Sequence, residues 1–196
     1  MRQFLIPLLA LSALAVIQQG CAPAVVVGGA AATATIAHDR RTAGTILEDQ
    51  AIELKAFDLI RRDPELGKQA HINVTSYNMI VLLSGETPTE AMRARAERIV
   101  RGIEKVRRVY NELTVAAPSS MMTRSSDSLI TAQVKTALFG AKDLPDFDPS
   151  RVKVVTENGT VYLMGLARRA EGNAAAEAAR RVKGVQRVVK LFEYID

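Results

Sequence analysis

The chain repeats one order of secondary structure, and this internal repeat limits the possible folds more than any other feature. Residues 49–113 and residues 127–192 each show the pattern helix, strand, strand, helix, strand. The second strands, Ile80–Gly85 and Thr160–Gly165, lie 80 residues apart, while the two copies begin 78 residues apart, so only short loops differ in length. We therefore predict two tandem domains, 47–116 and 126–196, joined by a linker at 117–125.

The first helix of each copy is predicted from apolar residues that recur every four positions and so share one helical face. They are Ile52, Ala56 and Ile60 in the first copy and Ile130, Val134 and Leu138 in the second. Asp49 and Asp127 precede these sets, and we expect each carboxylate to cap the N-terminus of its helix.

A tight turn joins the first two strands of each copy. Asn158-Gly159 separates Val152–Val155 from Thr160–Gly165, and it predicts an antiparallel hairpin because both turn positions tolerate a positive φ. Asn78-Met79 is a weaker form of the same signal in the first copy.

A second helix and a third strand complete each copy. In the first copy, Thr87-Pro88-Thr89-Glu90 predicts the helix start through a capping box. Its counterpart is the alanine-rich stretch Ala174–Val182, which Gly184 can end. The third strands are predicted at Val106–Leu113 and Val185–Phe192.

These strands and turns resemble the BON-domain family over nearly the whole mature chain. The matching stretches are Ile72–Thr75 and Val81–Gly85 in the first copy, and Val152–Val155, Glu157–Gly159, Val161–Gly165 and Arg181–Val185 in the second. The resemblance implies an α+β fold, in which each domain has a three-stranded mixed sheet packed by two helices. It also implies non-enzymatic modules that associate with phospholipid surfaces or envelope components, and a role in outer-membrane integrity. The first copy departs from the pattern by carrying Lys105 where the second has Gly184.

Residues 1–20 resemble the signal peptide of a bacterial lipoprotein. An apolar run, Phe4–Ile17, is too short to span a bilayer comfortably, and Gly20 precedes Cys21, the single cysteine of the chain. The resemblance implies that Cys21 becomes an N-terminus carrying fatty acyl chains such as palmitate. Gln18 departs from the pattern, and the alternative is an ordinary signal peptide that is cut nearby.

The residue after the cysteine, Ala22, resembles outer-membrane sorting signals, so we expect a protein anchored in the outer membrane and facing the periplasm. Residues 21–46 are predicted to form a tether. Its small-residue stretch Ala24–Ala37 has an alternative interpretation, in which it packs on a partner or lies on the membrane.

No arrangement of side chains in the sequence indicates catalysis. The two histidines, His38 in the tether and His71 at a strand start, show no metal-ligand spacing and offer a serine nucleophile no convincing base. Glycine-rich phosphate loops are also missing. We expect no enzyme activity, no cofactor and no metal site. The acidic stretch Asp143, Asp146 and Asp148 is interpreted as a solvated loop, with a cation site as the alternative.

The formal net charge of +5 is unevenly distributed. Residues 125–196 contain 11 Lys+Arg against 9 Asp+Glu, a balance of +2, whereas residues 47–116 contain 11 of each. This excess favours contact of the second copy and the tether with anionic surfaces. Nucleic acid would suit the same balance, but an exported protein seldom meets it, so we expect no nucleic-acid partner.

The phospholipid-binding site is predicted on and just beyond the first helix of the second copy, at Leu129, Lys135, Phe139 and Lys142. At about 100° per residue, Leu129 and Phe139 fall outside the core arc, with the lysines on the outward or flanking side. The family resemblance implies the same helix. The alternative is that Leu129 and Phe139 pack on the other domain or on the helix ends.

The first helix of the first copy is a poorer candidate for anionic lipid. Phe57 lies outside its core arc, but carboxylates crowd the helix at Glu48, Asp49, Glu53 and Asp58. This helix is expected to meet the second copy or a protein partner. The predicted function is therefore binding of anionic phospholipid in support of outer-membrane integrity. The alternative is a periplasmic adaptor that binds a protein partner of the envelope assembly or stress machinery.

Overall fold

The computed structural model describes residues 39–140 and 147–196. Cys21, Lys142, Asp143, Asp146 and most of the predicted tether lie outside them. Residues Ala34–Asp196 form one compact unit, which contains both copies of the repeat.

Each copy has the predicted order of elements. The first consists of α1 (Ala43–Arg62), a short α2 (Leu66–Gln69), β1 (His71–Tyr77), β2 (Ile80–Thr87), α3 (Glu90–Arg101), β3 (Arg108–Asn111) and β4 (Thr114–Val115). The second consists of α4 (Met121–Gly140), a 3₁₀ turn (Pro149–Arg151), β5 (Lys153–Glu157), β6 (Thr160–Ala167), α5 (Arg169–Arg180) and β7 (Arg187–Tyr194).

Both sheets are mixed, which confirms the predicted α+β fold. In the first, β1 pairs antiparallel with β2, and β2 pairs parallel with β3. The short β4 also pairs parallel with β2, further along that strand than β3 does. In the second, the order is β5-β6-β7 with the same senses of pairing. The parallel partner is reached in each case through a crossover helix, as parallel pairing requires.

The helices cover one face of each sheet, as the spacing of the apolar residues predicts. Ile52, Ala56 and Ile60 of α1 pack with Val81 and Leu83 of β2. In the second copy Ile130, Val134 and Leu138 of α4 occupy the same place in a separate cluster. Alternate residues of β2 and β6 belong to these clusters because successive strand residues point to opposite faces.

The hairpin turns are confirmed in both copies. Asn78 and Met79 have φ of 53° and 62°, and Asn158 and Gly159 have φ of 48° and 69°. Lys105 adopts the left-handed conformation at φ 69°, as Gly184 does at φ 93°. The first copy thus keeps the turn without glycine, at a cost of about 1–2 kcal/mol.

The predicted capping roles of Asp49 and Asp127 are wrong. Helix α1 begins earlier, and its N-cap is Thr42, whose hydroxyl accepts the Thr45 N–H at 3.1 Å. Asp49 instead lies buried within α1, where its carboxylate accepts the N–H groups of Asn78 and Met79 at 2.8 and 2.7 Å.

Asp127 of α4 has the same role in the second copy. Its carboxylate accepts the N–H groups of Asn158 and Gly159, both at 2.9 Å. A hairpin turn with two left-handed residues directs consecutive N–H groups to one side, and a buried carboxylate can accept both. Each Asp therefore joins the first helix of its domain to the hairpin turn.

Helices α1 and α4 also begin before the expected positions. Ala43 lies within the stretch assigned to the tether, and Met121 lies within the stretch assigned to the linker. The hydroxyl of Ser120 accepts the N–H of Thr123 at 3.2 Å and so satisfies the first turn of α4. Helix α5 likewise begins at Arg169 rather than Ala174.

The helix-free faces of the two sheets pack against each other. One buried cluster combines Tyr77, Ile80 and Leu82 of the first sheet with Tyr162, Met164 and Leu191 of the second. The resulting order of layers is helices, sheet, sheet, helices. Helices α1 and α4 therefore lie on opposite sides of the stack.

We expect Asp127→Asn to lower the free energy of unfolding of the Ala34–Asp196 fragment by about 2 kcal/mol, measured by urea denaturation. The asparagine amide has nearly the volume of the carboxylate, but one of its two ends is an NH₂ group, which cannot accept the N–H groups of Asn158 and Gly159. Asp58→Asn is the control, because Asp58 forms an exposed ion pair with Arg62. A loss no larger than that of the control would contradict the assigned role.

Candidate functional site

The outward face of α4 exposes large apolar side chains. Leu129 and Phe139 are each 66% exposed, so neither packs on the other domain. Lys135 is also exposed, and Lys142 lies outside the described residues. Three of the four predicted lipid-contact residues are thus seen, and all three are accessible on the helix that the sequence indicated.

Two further residues of this face were missed from the sequence. Met121 and Met122 are 76% and 83% exposed and form the first turn of α4. The sequence analysis had assigned them to the linker, because the serines around them indicate a loop. The capping potential of Ser120, directly before the two methionines, was the signal that could have placed them on the helix.

Helix α4 presents no carboxylate to solvent. Its single acidic residue is Asp127, which is buried and bound to the hairpin turn. The outward face therefore consists of apolar groups, hydroxyls, the Gln133 amide and Lys135, with Arg124 half-buried at one edge. Such a face can meet an apolar layer bordered by anions without charge repulsion.

Helix α1 also exposes apolar side chains, and its carboxylates are less available than expected. Leu47, Leu54 and Phe57 are 66%, 71% and 60% exposed. The acidic residues have partners at 2.7 to 2.9 Å: Glu48 with Lys105, Asp49 with Arg41, Glu53 with Lys153 and Asp58 with Arg62. The four acids predicted on this helix are thus present, and each is paired with a basic side chain in the folded chain.

The residues just before α1 bind both domains. Arg40 donates to both carboxylate oxygens of Glu171 on α5 at 2.7 Å and to the Leu166 carbonyl at 2.7 Å. Its guanidinium holds the pKa of Glu171 below the usual range. Arg41 lies over the Tyr77 ring, 3.8 Å from the centroid, and pairs with Asp49 at 2.8 Å. The segment directly before α1 is thus held at the domain interface.

A cluster of polar side chains lies at the interface where β1 begins and β5 ends. His71, Glu86 and Glu157 each place a nitrogen or oxygen within 4.8 Å of the others. Glu86 and Glu157 are 2% and 6% exposed, and His71 Nε2 lies 3.6 Å from Glu157 Oε1. Burial raises the pKa of Glu157, while burial and the nearby Arg124 lower the pKa of His71.

Sequence reasoning did not find this cluster. It found no metal-ligand spacing because Glu86 and Glu157 come from different domains, and only sheet packing brings them together.

Among the described residues, no helix is long and apolar enough to cross a membrane.

Polar substitution on the outward face of α4 should leave stability unchanged. We expect Leu129→Ser and Phe139→Ser to alter the free energy of unfolding by less than about 0.5 kcal/mol, because both side chains are exposed. Leu138→Ala, in the core at 1% exposure, should cost about 2–5 kcal/mol. Urea denaturation of the three variants measures this, and a large loss for Leu129→Ser would show a packing role.

Comparison with known proteins agrees with the repeat and the fold. The BON domain matches residues 48–117 and 126–196. The chain is 40% identical over 178 residues to the outer membrane lipoprotein DolP of Haemophilus influenzae, covering 91% of this chain and 90% of that protein. It is 37% identical over 158 residues to a 21 kDa hemolysin of Actinobacillus pleuropneumoniae, covering 81% and 80% of the two chains.

A more distant relative is the osmotically-inducible protein Y of Escherichia coli, which is 31% identical over 149 residues and covers 74% and 72% of the two chains. Two domain matches that span most of the chain, and a relative aligned along nearly its full length, confirm the predicted family and localisation. The chain belongs to the BON-domain family and is an outer-membrane lipoprotein.

Proposed function

We propose that this lipoprotein is a non-enzymatic module that binds anionic phospholipid through the outward face of α4 and thereby helps to maintain outer-membrane integrity. The observation that carries the proposal is the exposed apolar line of α4, which has a cation beside it and no solvent-facing carboxylate. The proposed contacts are Leu129, Lys135, Phe139 and Lys142, together with Met121 and Met122.

The binding free energy that these side chains can supply is that of a weak, reversible surface contact. A large apolar side chain contributes about 1.5–3 kcal/mol when fully buried, and a lysine near an anionic surface contributes about 1 kcal/mol. Leu129 and Phe139 already have about a third of their surface covered, so insertion adds only part of the apolar contribution. Ordering of the side chains lowers the total further.

Attachment at Cys21 makes such a weak contact sufficient. Acyl chains on Cys21 would keep the folded unit close to the bilayer, so that binding of α4 becomes an intramolecular event at a high effective concentration. The apolar and cationic face then adds selectivity for anionic headgroups to the attachment by the acyl chains.

A second candidate function is that of a periplasmic adaptor for a protein partner. The observation that favours it is the line of Leu47, Leu54 and Phe57 on α1, on the side of the stack opposite α4. A unit bound to lipid through α4 would present this line away from the membrane. The two functions are compatible because they use different helices.

The lipid site is tested by co-sedimentation of the Ala34–Asp196 fragment with vesicles of phosphatidylcholine alone or mixed with phosphatidylglycerol. We expect salt-sensitive binding to the mixed vesicles only, because cations interact with the anionic headgroups. Leu129→Glu combined with Lys135→Glu should weaken this binding about tenfold or more, since it adds repulsion and removes an apolar contact.

The matched control is Leu54→Glu combined with Lys55→Glu, which makes the same change on the exposed face of α1. It should bind as the unchanged fragment does. Equal loss in both double variants would indicate a general charge effect, and undiminished binding of the α4 variant would refute this site. Failure of the fragment to bind either vesicle would favour the adaptor function.

The attachment residue is tested by Cys21→Ser in the full chain. The serine oxygen cannot form the thioether through which lipid is added to a cysteine, so we expect the variant to incorporate no radiolabelled palmitate and to leave the outer-membrane fraction. Ala22→Ser, which keeps the cysteine, is the control. Continued labelling of the Cys21→Ser chain would place the lipid elsewhere.

A further inference from the structure

The strongest unexplained feature of the molecule is the interface cluster of His71, Glu86 and Glu157. We propose that these three side chains form a binding site for a divalent metal ion between the two domains, with Zn²⁺ as the cation that the donor set fits best. One imidazole nitrogen and two carboxylates are ligands that zinc accepts readily, with water as a fourth ligand.

The separations within the cluster suit one shared ion. Ligand atoms about 2.0–2.2 Å from a tetrahedral zinc lie roughly 3.3–3.6 Å from one another. His71 Nε2 and Glu157 Oε1 are already 3.6 Å apart, and all three donor atoms lie within 4.8 Å of one another. Ligation would draw the Glu86 carboxylate towards this pair and so complete the set of protein ligands.

Neighbouring groups hold the carboxylates in place. Glu86 Oε2 accepts the Ser119 N–H at 3.2 Å, and its Oε1 accepts the side-chain amide of Asn158. Glu157 Oε2 accepts the Asn73 amide at 2.8 Å, which leaves Oε1 facing His71. The same amide nitrogen lies 3.3 Å from His71 Nε2, and metal binding would replace that contact. Such outer contacts orient ligands in known metal sites.

A bound cation would compensate the negative charges of the two carboxylates in the cluster. Glu86 and Glu157 are nearly fully buried, and among the described residues neither forms an ion pair with a lysine or arginine. Burial raises the pKa of Glu157 and the charge of Arg124 acts to lower it, but the Arg124 side chain donates to the Ser119 carbonyl at 2.9 Å. Two buried carboxylates close together are costly unless a proton or a cation compensates them.

The opposite end of the interface provides an internal comparison. The two hairpins correspond with an offset of 80 residues. Tyr77 is therefore equivalent to Glu157, His71 to Arg151, and Glu86 to Leu166. At the Tyr77 end, Tyr77 Oη donates to the Arg151 carbonyl at 3.5 Å, and the guanidinium of Arg41 covers the ring. The Tyr77 end thus holds an arginine paired with Asp39 and Asp49, whereas among the described residues no lysine or arginine forms an ion pair with Glu157 at the other end, where the metal ion would lie.

The cluster also has room and access for an ion with its water. Two of its three members, His71 and Glu157, line a cavity of about 230 Å³ together with Asn73, Arg124, Thr131 and Thr156, among others. His71 keeps 18% of its side-chain surface exposed, so an ion can reach it from solvent. Since ligands come from both domains, binding would strengthen their association and raise the stability of the folded unit.

The experiment is titration of the Ala34–Asp196 fragment with Zn²⁺ by calorimetry, together with thermal unfolding with and without the ion. The fragment lacks Cys21, whose thiol would otherwise compete for zinc. We expect one Zn²⁺ per chain and a melting temperature that rises with Zn²⁺ and returns on chelation. His71→Ala and Glu157→Gln should weaken binding about tenfold or more.

The control is His38→Ala, which removes the other histidine of the chain and should leave binding unchanged. Anomalous scattering from Zn²⁺-soaked crystals locates the ion in the unchanged chain, independently of any variant's folding. A peak between His71 and Glu157 supports the proposal. A peak elsewhere, equal affinity in His71→Ala, or absence of saturable binding would overturn it.

Discussion

The packing of one sheet on the other is the interaction on which the rest of this structure depends. A small sheet with helices on one face leaves its second face apolar and exposed, and in this chain each domain covers that face of its neighbour. Burial contributes about 1.5–3 kcal/mol for each large apolar side chain, whereas a typical polar contact contributes about 1 kcal/mol. Most of the stabilisation of the interface therefore comes from Tyr77, Leu82, Tyr162 and Met164. The ion pairs of the interface fix how the two sheets are aligned and contribute less to the free energy of their association.

This arrangement separates the two exposed helices. Because α1 and α4 cover the outer faces of different sheets, a bilayer that contacts one cannot contact the other at the same time. Arg40 and Arg41 hold the segment before α1 at the interface between the domains. The proposed lipid contact through α4 would therefore leave α1 accessible on the other side of the stack.

The two copies have retained the residues that fold each domain and diverged in those that face the other copy. The carboxylate that binds the hairpin turn is present in both, as Asp49 and Asp127. At positions that face the interface, Tyr77 of the first copy corresponds to Glu157 of the second, and Glu86 corresponds to Leu166. An arginine from the chain consequently packs at one end of the interface, and a histidine with two carboxylates occupies the other.

The sequence by itself determined the repeat, the type and order of elements, the two hairpin turns and the outward position of Leu129 and Phe139. These follow from local periodicity and turn chemistry, which depend on residues close together in the chain. It did not reveal that Asp49 and Asp127 bind the turns, because a capping carboxylate and one that reaches a distant turn look alike in sequence. Only the tertiary structure decided the pairing of α1 carboxylates, the opposite placement of α1 and α4, and the meeting of His71, Glu86 and Glu157. These contacts join residues that are far apart in the chain, and the packing of the two sheets determines which of them become neighbours.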